Sequence, residues 1–297
     1  MGQILIGTSS WPDPALVESG LFYPREATTP AARLQYYAQN FPIVEVDSSY
    51  YALPSEKNAA LWVNRTPRDF TFDMKTFRLF TQHPTPLTAL PKDLRSQVSP
   101  LEEGKKNLYI DDVPTEVVGE LWKRFAQALL PLDSAGKLGV IMFQFPPWFH
   151  PLKENRDYIL KCKENLPQYR LAVEFRTGTW LNDKNRDHTL QFLRENQLTF
   201  VCVDEPQGFK SSVPSVDEVT APIAAVRFHG RNRETWEQKG LTVSERFRYL
   251  YSEEELKEWA PRVEHMADQA REVHVLFNNC HQDFAVRNGK QLQMMLS

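Results

Sequence analysis

The sequence predicts an α/β fold: a single-domain TIM (β/α)8 barrel with long loops after strands 3 and 7. Three observations predict it. Eight short segments alternate apolar and polar residues with the period of two that marks a strand. Helical stretches with their own start signals separate them. The 297 residues suit one large barrel, and no low-complexity linker divides them. An open doubly wound sheet fits less well, because no glycine-rich phosphate turn follows the first strand.

The elements follow in order. Gln3–Thr8 reads as the first strand and Ser9–Thr28 as a loop. Thr29-Pro30 is an N-cap and N1 pair opening a helix to about Asn40. Ile43–Ser48 is the second strand, with Val44 and Val46 on one face and Glu45 and Asp47 on the other. Ser55 caps the next helix. Phe70–Lys75 is the third strand, setting Phe72 and Met74 against Thr71, Asp73 and Lys75. The interval Thr76–Lys137 is too long for a simple connection. Its second part, Thr115–Leu130, has a helical pattern. Its first part, Thr76–Asp112, is expected to cover or border the barrel mouth and to be among the more mobile parts. Leu138–Pro146 is the fourth strand, the stretch Tyr169–Trp180 contains the fifth, Leu198–Asp204 is the sixth and Ile223–Gly230 the seventh. Arg231–Tyr251 is the second long loop. Ser252 and Glu255 form a capping box for a helix to about Ala270. Glu272–Asn279 is the eighth strand, and a closing helix occupies roughly Gln282–Leu296.

Composition narrows the classes. Hydrophobic content of 41% and charged content of 25% are those of an ordinary globular protein with a large core. A net charge of −3 gives no global pull towards nucleic acid or an anionic membrane. Cys162, Cys202 and Cys280 are few, odd in number and widely spaced, which speaks against a disulfide framework and for a reducing cytoplasm. The start MGQILIGTSSW has no basic flank or long apolar run, so no signal peptide is expected there, and Ile6 stands where a myristoylation motif needs Ser or Thr. No apolar stretch is long enough to span a bilayer. The expected location is cytoplasmic.

The fifth strand shows where the chemistry should lie. In YRLAVEFRTGTW, Leu171, Val173 and Phe175 alternate with Ala172, Glu174 and Arg176. Two charges on one face of a strand are costly unless paired or hydrogen-bonded. The same alternation sends Glu45, Asp47, Asp73, Lys75, Gln144, Asp204, Arg227, His229, His274 and Asn278 inward, with polarity rising towards the strand ends. Active sites of this fold sit at the C-terminal ends of the strands. Glu45, Lys75 and Glu174 are therefore the candidate catalytic residues. Gln144, Arg176, Arg227, His229, Asn278 and Asn279 are the candidate substrate-binding residues, with Trp11 and Tyr51 as aromatic platforms. A buried ion network filling a wide barrel is the competing explanation for any one of these charges. For a dozen of them it is the weaker one, because buried ion pairs stabilise less than packed apolar side chains.

No metal ligand set is assigned. Glu45, Glu174, Asp204, His229 and His274 are the right residue types, but no close-spaced His pair occurs and Lys75 and Arg227 bring cations into the same cup. His274, at the start of its strand, fits a hydrogen-bonded core residue better. The cations suggest an anion instead, with Arg227 as its main holder. Arg231, Arg233, Lys239, Arg246 and Arg248 in the loop after strand 7 add to that, although Glu234, Glu237 and Glu245 are interleaved with them. Tyr50, Trp148, Trp180 and Trp236 are further loop aromatics able to stack on a ring. Cys202 and Cys280 lack the context of a thiol nucleophile.

The motifs GTSSW, VEVDSSYYALP, FTFDMKT, QFPP, AVEFRTGTW, VRFHGR and FNN together resemble the YecE-like family, also called domain of unknown function 72, over essentially the whole chain. The resemblance implies a (β/α)8 barrel and brings no established activity. Family members often carry Asn where this chain has Asp47, Phe where it has Tyr50, and Asn-Ala where it has Asn288-Gly289.

The expected function is acid–base catalysis on a small anionic or phosphorylated substrate, nucleotide-like ones included. Glu45 and Glu174 would act as acid and base with their pKa values pushed apart. Lys75 would stabilise an oxyanion or, with a depressed pKa, form a Schiff base. Hydrolysis and lyase or isomerase chemistry are both open. Two other classes compete: a non-catalytic binder of nucleotide or single-stranded nucleic acid, and a metal-dependent phosphodiesterase-like barrel. No cofactor and no membrane partner is expected. The sequence does not fix the oligomeric state.

Overall fold

Alternation does most of the folding work. The computed structural model describes residues 1–102 and 104–297. The strands are β1 (Gln3–Ser9), β2 (Ile43–Val46), β3 (Thr71–Lys75), β4 (Leu138–Gln144), β5 (Leu171–Glu174), β6 (Thr199–Asp204), β7 (Ile223–Phe228) and β8 (Glu272–Phe277). All pair in parallel in sequence order, and β8 returns to β1 to close the barrel. The helices are α1 (Pro14–Ser19), α2 (Pro30–Asn40), α3 (Ser48–Tyr51), α4 (Glu56–Asn64), α5 (Thr115–Ser134), α6 (Lys153–Asn165), α7 (Arg186–Glu195), α8 (Val243–Arg246), α9 (Glu253–Gln269) and α10 (Phe284–Met295). None among the described residues is long and apolar enough to cross a membrane.

The start signals read from sequence hold. Thr29 and Ser55 accept hydrogen bonds from the first turns of α2 and α4, and Ser252 and Glu255 cap α9 reciprocally. The expected loop Ser9–Thr28 contains the short helix α1, started by Asp13 with Pro14 behind it. Several strands stop earlier than their alternation suggests, so that Arg176, His229 and Asn278 lie just beyond the ends of β5, β7 and β8.

Outward faces build the main core against the helices. Phe228 stacks on Phe277 at 4.5 Å and meets Trp259 of α9 edge-on at 4.9 Å. Inside the barrel the floor is polar. Asp73 accepts from the Val140 amide at 2.8 Å and faces His274 Nδ1 at 2.9 Å, while His274 Nε2 lies 3.2 Å from Glu272. Gly139 makes room for this plug: a Cβ there would stand 2.2 Å from Asp73 Oδ1 and 2.9 Å from His274.

The interval after β3, expected to cover or border the mouth, packs closely over much of its length. Glu103, which lies within it, is outside the described residues. The rest is a wall of 3-10 turns anchored by buried Leu79, Phe80, Leu90, Leu94, Val98 and Leu108. Phe80 stacks on Trp122 of α5 with ring centroids 3.5 Å apart. Its N-terminal end, near Arg78 and His83, does border the mouth.

Candidate functional site

β7 sets Arg227 at the barrel axis, between Glu45 from β2 and Glu174 from β5. Its Nε and Nη2 donate to the two oxygens of Glu45 at 2.9 and 2.8 Å, and its Nη1 donates to Glu174 Oε2 at 2.6 Å. Nη2 also reaches Ser9 Oγ at 3.4 Å. All three charged side chains are sealed from solvent. A planar fork answered by two carboxylates is the geometry that makes a buried guanidinium tolerable.

Glu174 Oε1 gathers the surrounding donors: Gln144 Nε2 at 2.6 Å, His229 Nε2 at 3.0 Å and Arg176 Nη1 at 3.4 Å. The Asn278 amide donates to His229 Nδ1 at 3.0 Å, which assigns the proton of a neutral His229 to Nε2. Burial keeps that imidazole neutral, lowering it to about 4 against the pull of Glu174.

The two carboxylates on Arg227 are not equivalent. Burial pushes both up. For Glu174 the charges of Arg227 and Arg176, with the hydrogen bond from His229, outweigh it and hold the group well below the usual range. For Glu45 burial wins over Arg227, with Asp47 adding to the rise, and the group is pushed up to about 8. The surroundings of this shared guanidinium thus pull its two carboxylates in opposite directions.

Two ion pairs connect this buried set to the surface. Lys75 Nζ lies 3.1 Å from Asp47, and these side chains are 13% and 25% exposed. Burial works to lower Lys75, but Asp47 outweighs it and the amine is raised, so it stays a cation. A Schiff base needs the free amine, and the environment opposes that alternative. On the other side Arg176 Nη1 donates to Glu205 Oε2 at 2.9 Å, and Glu205 Oε1 accepts from the Val213 amide at 2.7 Å. Burial raises Glu205 to about 7 despite Arg176. The Arg176 guanidinium lies over the Trp236 ring at 4.8 Å. It then forms part of the wall of an open cleft of about 890 Å³, with Trp148, His150, Phe209, Trp236 and Arg246. Glu45, Glu174 and Arg227 do not line that cleft.

Of the residues expected at the site, Glu45, Glu174, Gln144, Arg176, Arg227, His229 and Asn278 converge as one bonded network, with Lys75 above it. The others fall elsewhere. Trp11 is buried on the helix side of β3, edge-on to Trp62 and Phe72. Asn279 takes the opposite parity to Asn278 and ties the Tyr249 carbonyl to Asn288 of α10. Tyr51 is exposed at the rim and touches Tyr50, whose ring lies near both Lys75 and Arg78. Asp204 faces outward instead of inward, bound by Tyr251, Trp259 and Arg231. With Arg231 so engaged, and Arg233 and Arg246 donating to backbone carbonyls, much of the basic loop after β7 holds its own fold together. Arg227, expected as the anion's main cation, is instead sealed and shared between Glu45 and Glu174.

Glu205 was not anticipated. It continues the period of Val201 and Val203, but Phe200 and Cys202 on the other parity are equally apolar, so β6 carried no signal that singled it out. Arg78 and His83 sit in a loop, where no period marks them. Among the described residues, no group of three or more His, Cys, Asp or Glu side chains is spaced to hold a metal ion.

A closed parallel barrel with a bonded polar cup at its C-terminal end places the chain among TIM-barrel proteins. The family model described as "Protein of unknown function DUF72" matches residues 5–297, and the chain belongs to that family, the YecE-like family. It is 33% identical over 299 residues to the UPF0759 protein YunF of Bacillus subtilis (strain 168), covering 99% of this chain and 95% of that one. The fold superposes on a DUF72 family protein from Enterococcus faecalis V583 with a TM-score of 0.79, 29% identity and 99% and 95% of the two chains covered. A DUF72 family protein from Thermotoga maritima MSB8 gives a TM-score of 0.76, 32% identity and 99% of each chain.

Proposed function

We propose that the protein is an enzyme acting on a small anionic or phosphorylated substrate by acid–base chemistry at the mouth of the barrel. One observation carries the reading. Two carboxylates, Glu45 and Glu174, share Arg227 directly beneath groups that reach solvent, with burial raising the first and the cations around the second lowering it. Groups whose environments split their pKa values in this way suit an acid and a base.

The roles follow from access. Glu174 is sealed and ionised, and it orients Arg176, Gln144 and His229. Glu45, raised by burial, lies beside Asp47, whose side chain is 25% exposed. Asp47 is therefore the group that exchanges a proton with substrate, while Lys75 stands ready to stabilise a developing oxyanion. Hydrolysis and lyase or isomerase chemistry use the same set.

The test is a thermal-shift screen of small anions, phosphate esters and nucleotides against wild type and Glu45→Gln, followed by product analysis of every hit. The expected result is a compound that shifts both proteins and is converted only by wild type. If hits are recovered unchanged from wild type, the site is a binding site and the enzyme reading falls. If no compound shifts either protein at millimolar concentration, the small-anion reading falls with it.

A further inference from the structure

At the edge of the cup, three cations surround one neutral imidazole. Lys75, Arg78 and Arg176 all act on His83, and together with its burial they lower it to about 4. The Tyr50 ring joins Lys75, Arg78 and His83 physically: Lys75 Nζ is 5.1 Å and Arg78 Cζ 5.2 Å from its centroid, and the His83 ring is 5.4 Å away.

These cations differ in how they are answered. Lys75 has Asp47, and Arg176 has Glu205. Arg78 pairs with no carboxylate among the described residues, and its Nε is buried without a hydrogen-bond partner. A buried, unanswered donor on a guanidinium is expensive. His83 uses Nδ1 on Thr81 Oγ1 at 2.9 Å, which leaves Nε2 without a protein partner among the described residues. The Arg78 guanidinium, answered by no carboxylate among the described residues and standing with Lys75 around Tyr50 at the mouth, matches an acceptor-only ligand with several oxygens.

The neighbouring wall is of a different kind. Trp148 is 52% exposed, an unusual placement for an indole. Its ring lies 6.1 Å from that of His83, and it lines the same cleft as Arg176. Phe209 and Trp236 contribute further aromatic surface there. The cleft therefore offers flat apolar faces within one side chain of the cationic cluster.

We propose that this mouth binds a phosphomonoester carried on a planar aromatic ring, the phosphate against Arg78, Lys75 and Arg176 and the ring against Trp148. The assignment rests on the small-anion reading above and narrows it to one substrate class. Two oxygens of the phosphate meet Arg78, whose fork fits them. The ring adds stacking on indole, which is sequence- and substituent-tolerant because every such ring has a π-face.

Calorimetric titration with inorganic phosphate, phenyl phosphate, adenosine 5′-monophosphate, benzoate and adenosine tests it. Phenyl phosphate and the nucleotide should bind about tenfold tighter than inorganic phosphate, and adenosine should not bind measurably. Trp148→Ala should bring the ring-bearing phosphates down to the level of inorganic phosphate, and Trp148→Phe should restore most of the difference. Arg78→Gln should weaken all phosphates at least tenfold. Circular dichroism and melting temperature establish that each variant folds. Equal affinity for phenyl phosphate and inorganic phosphate overturns the proposal, as does a ring preference that survives Trp148→Ala. If benzoate binds and no phosphate does, the proposal falls while the small-anion reading stands. If none of the five binds, both fall.

Discussion

The barrel has two polar interiors, and they are built on opposite terms. At the floor, His274 sits between Asp73 and Glu272, and Asp73 also receives the Val140 amide. The donors and acceptors close on one another, and Gly139 keeps a side chain out. At the mouth, Glu45, Asp47, Glu174 and Glu205 face Lys75, Arg176 and Arg227. That set does not close. It extends through Lys75 and Arg176 to solvent and to the unpaired Arg78. The floor has the character of a structural plug. The mouth has unmatched groups and a way in, which are what a ligand site needs and a plug does not.

The largest break in this contrast should come from Arg227. Replacing it by Ala leaves Glu45 and Glu174 buried without the cation they share. The expected loss is about 3–5 kcal/mol, read from urea denaturation. Arg227→Met, which fills the space, should recover part of it when Glu45 is also changed to Gln. A loss below about 1 kcal/mol for Arg227→Ala would mean that the buried pair does not hold the cup together.

That central trio was legible in the sequence, and the reason is local. On β2, β5 and β7 each charge stands among apolar neighbours that fix which face it shares, so Glu45, Glu174 and Arg227 could be placed without tertiary information. On β6 the residues Thr199–Asp204 are buried on both faces, and the polar Asp204 was read as interior because it was polar. Tyr251, Trp259 and Arg231, far along the chain, give it a polar niche on the helix side, and Glu205 takes the interior position. Asn278 and Asn279 show the same limit: at a strand end one residue turns in and the next turns out, and only packing says which. Trp11 had no period to place it. Arg78 and His83 lie in irregular wall structure, where sequence carries no directional signal at all.

A smaller effect should separate the floor by its pH dependence. Burial disfavours charge on His274, but Asp73 and Glu272 outweigh it and raise the imidazole to about 9. A raised pKa means that the folded state holds the proton more tightly than the unfolded chain, whose ordinary value is 6.5. The stabilisation is complete below that value and is lost as pH rises towards 9. Wild type should therefore lose stability between pH 7 and 9. His274→Gln should start lower by about 1.5–3 kcal/mol and show a flatter profile over that window. Equal slopes for the two proteins would remove the charged plug from the account.

The mouth should respond to pH in binding more than in folding. Burial raises Glu205 to about 7 and Glu45 to about 8, so both lose protons as pH rises through that range. Each loss adds negative charge beside the cations and should weaken an anion. Affinity for a phosphate ester, corrected for the ligand's own titration, should fall several-fold between pH 6 and 8.5. Glu205→Gln should abolish the lower part of that fall and leave the upper part. An affinity independent of pH across the window would disconnect these carboxylates from the ligand site.

The smallest effect, and the one that separates the regions most finely, concerns Asp47. Asp47 is partly exposed and pairs with Lys75 at the surface of the cup, so Asp47→Asn should change stability by less than about 1 kcal/mol. Its electrostatic consequences run in two directions. Lys75 loses its counter-charge, which should tighten an anion. Glu45 loses a neighbouring carboxylate that helps to raise it, so its pKa should fall towards the usual range. If Asp47 exchanges the substrate proton, the variant should bind an anion more tightly than wild type and turn it over more slowly. Calorimetry and product analysis on the same preparation read both quantities. Tighter binding with unchanged turnover would take Asp47 out of the proton path and return that role to the sealed Glu45. Unchanged binding would mean that Lys75 does not touch the anion, and the ligand site would shrink to Arg78 and Arg176.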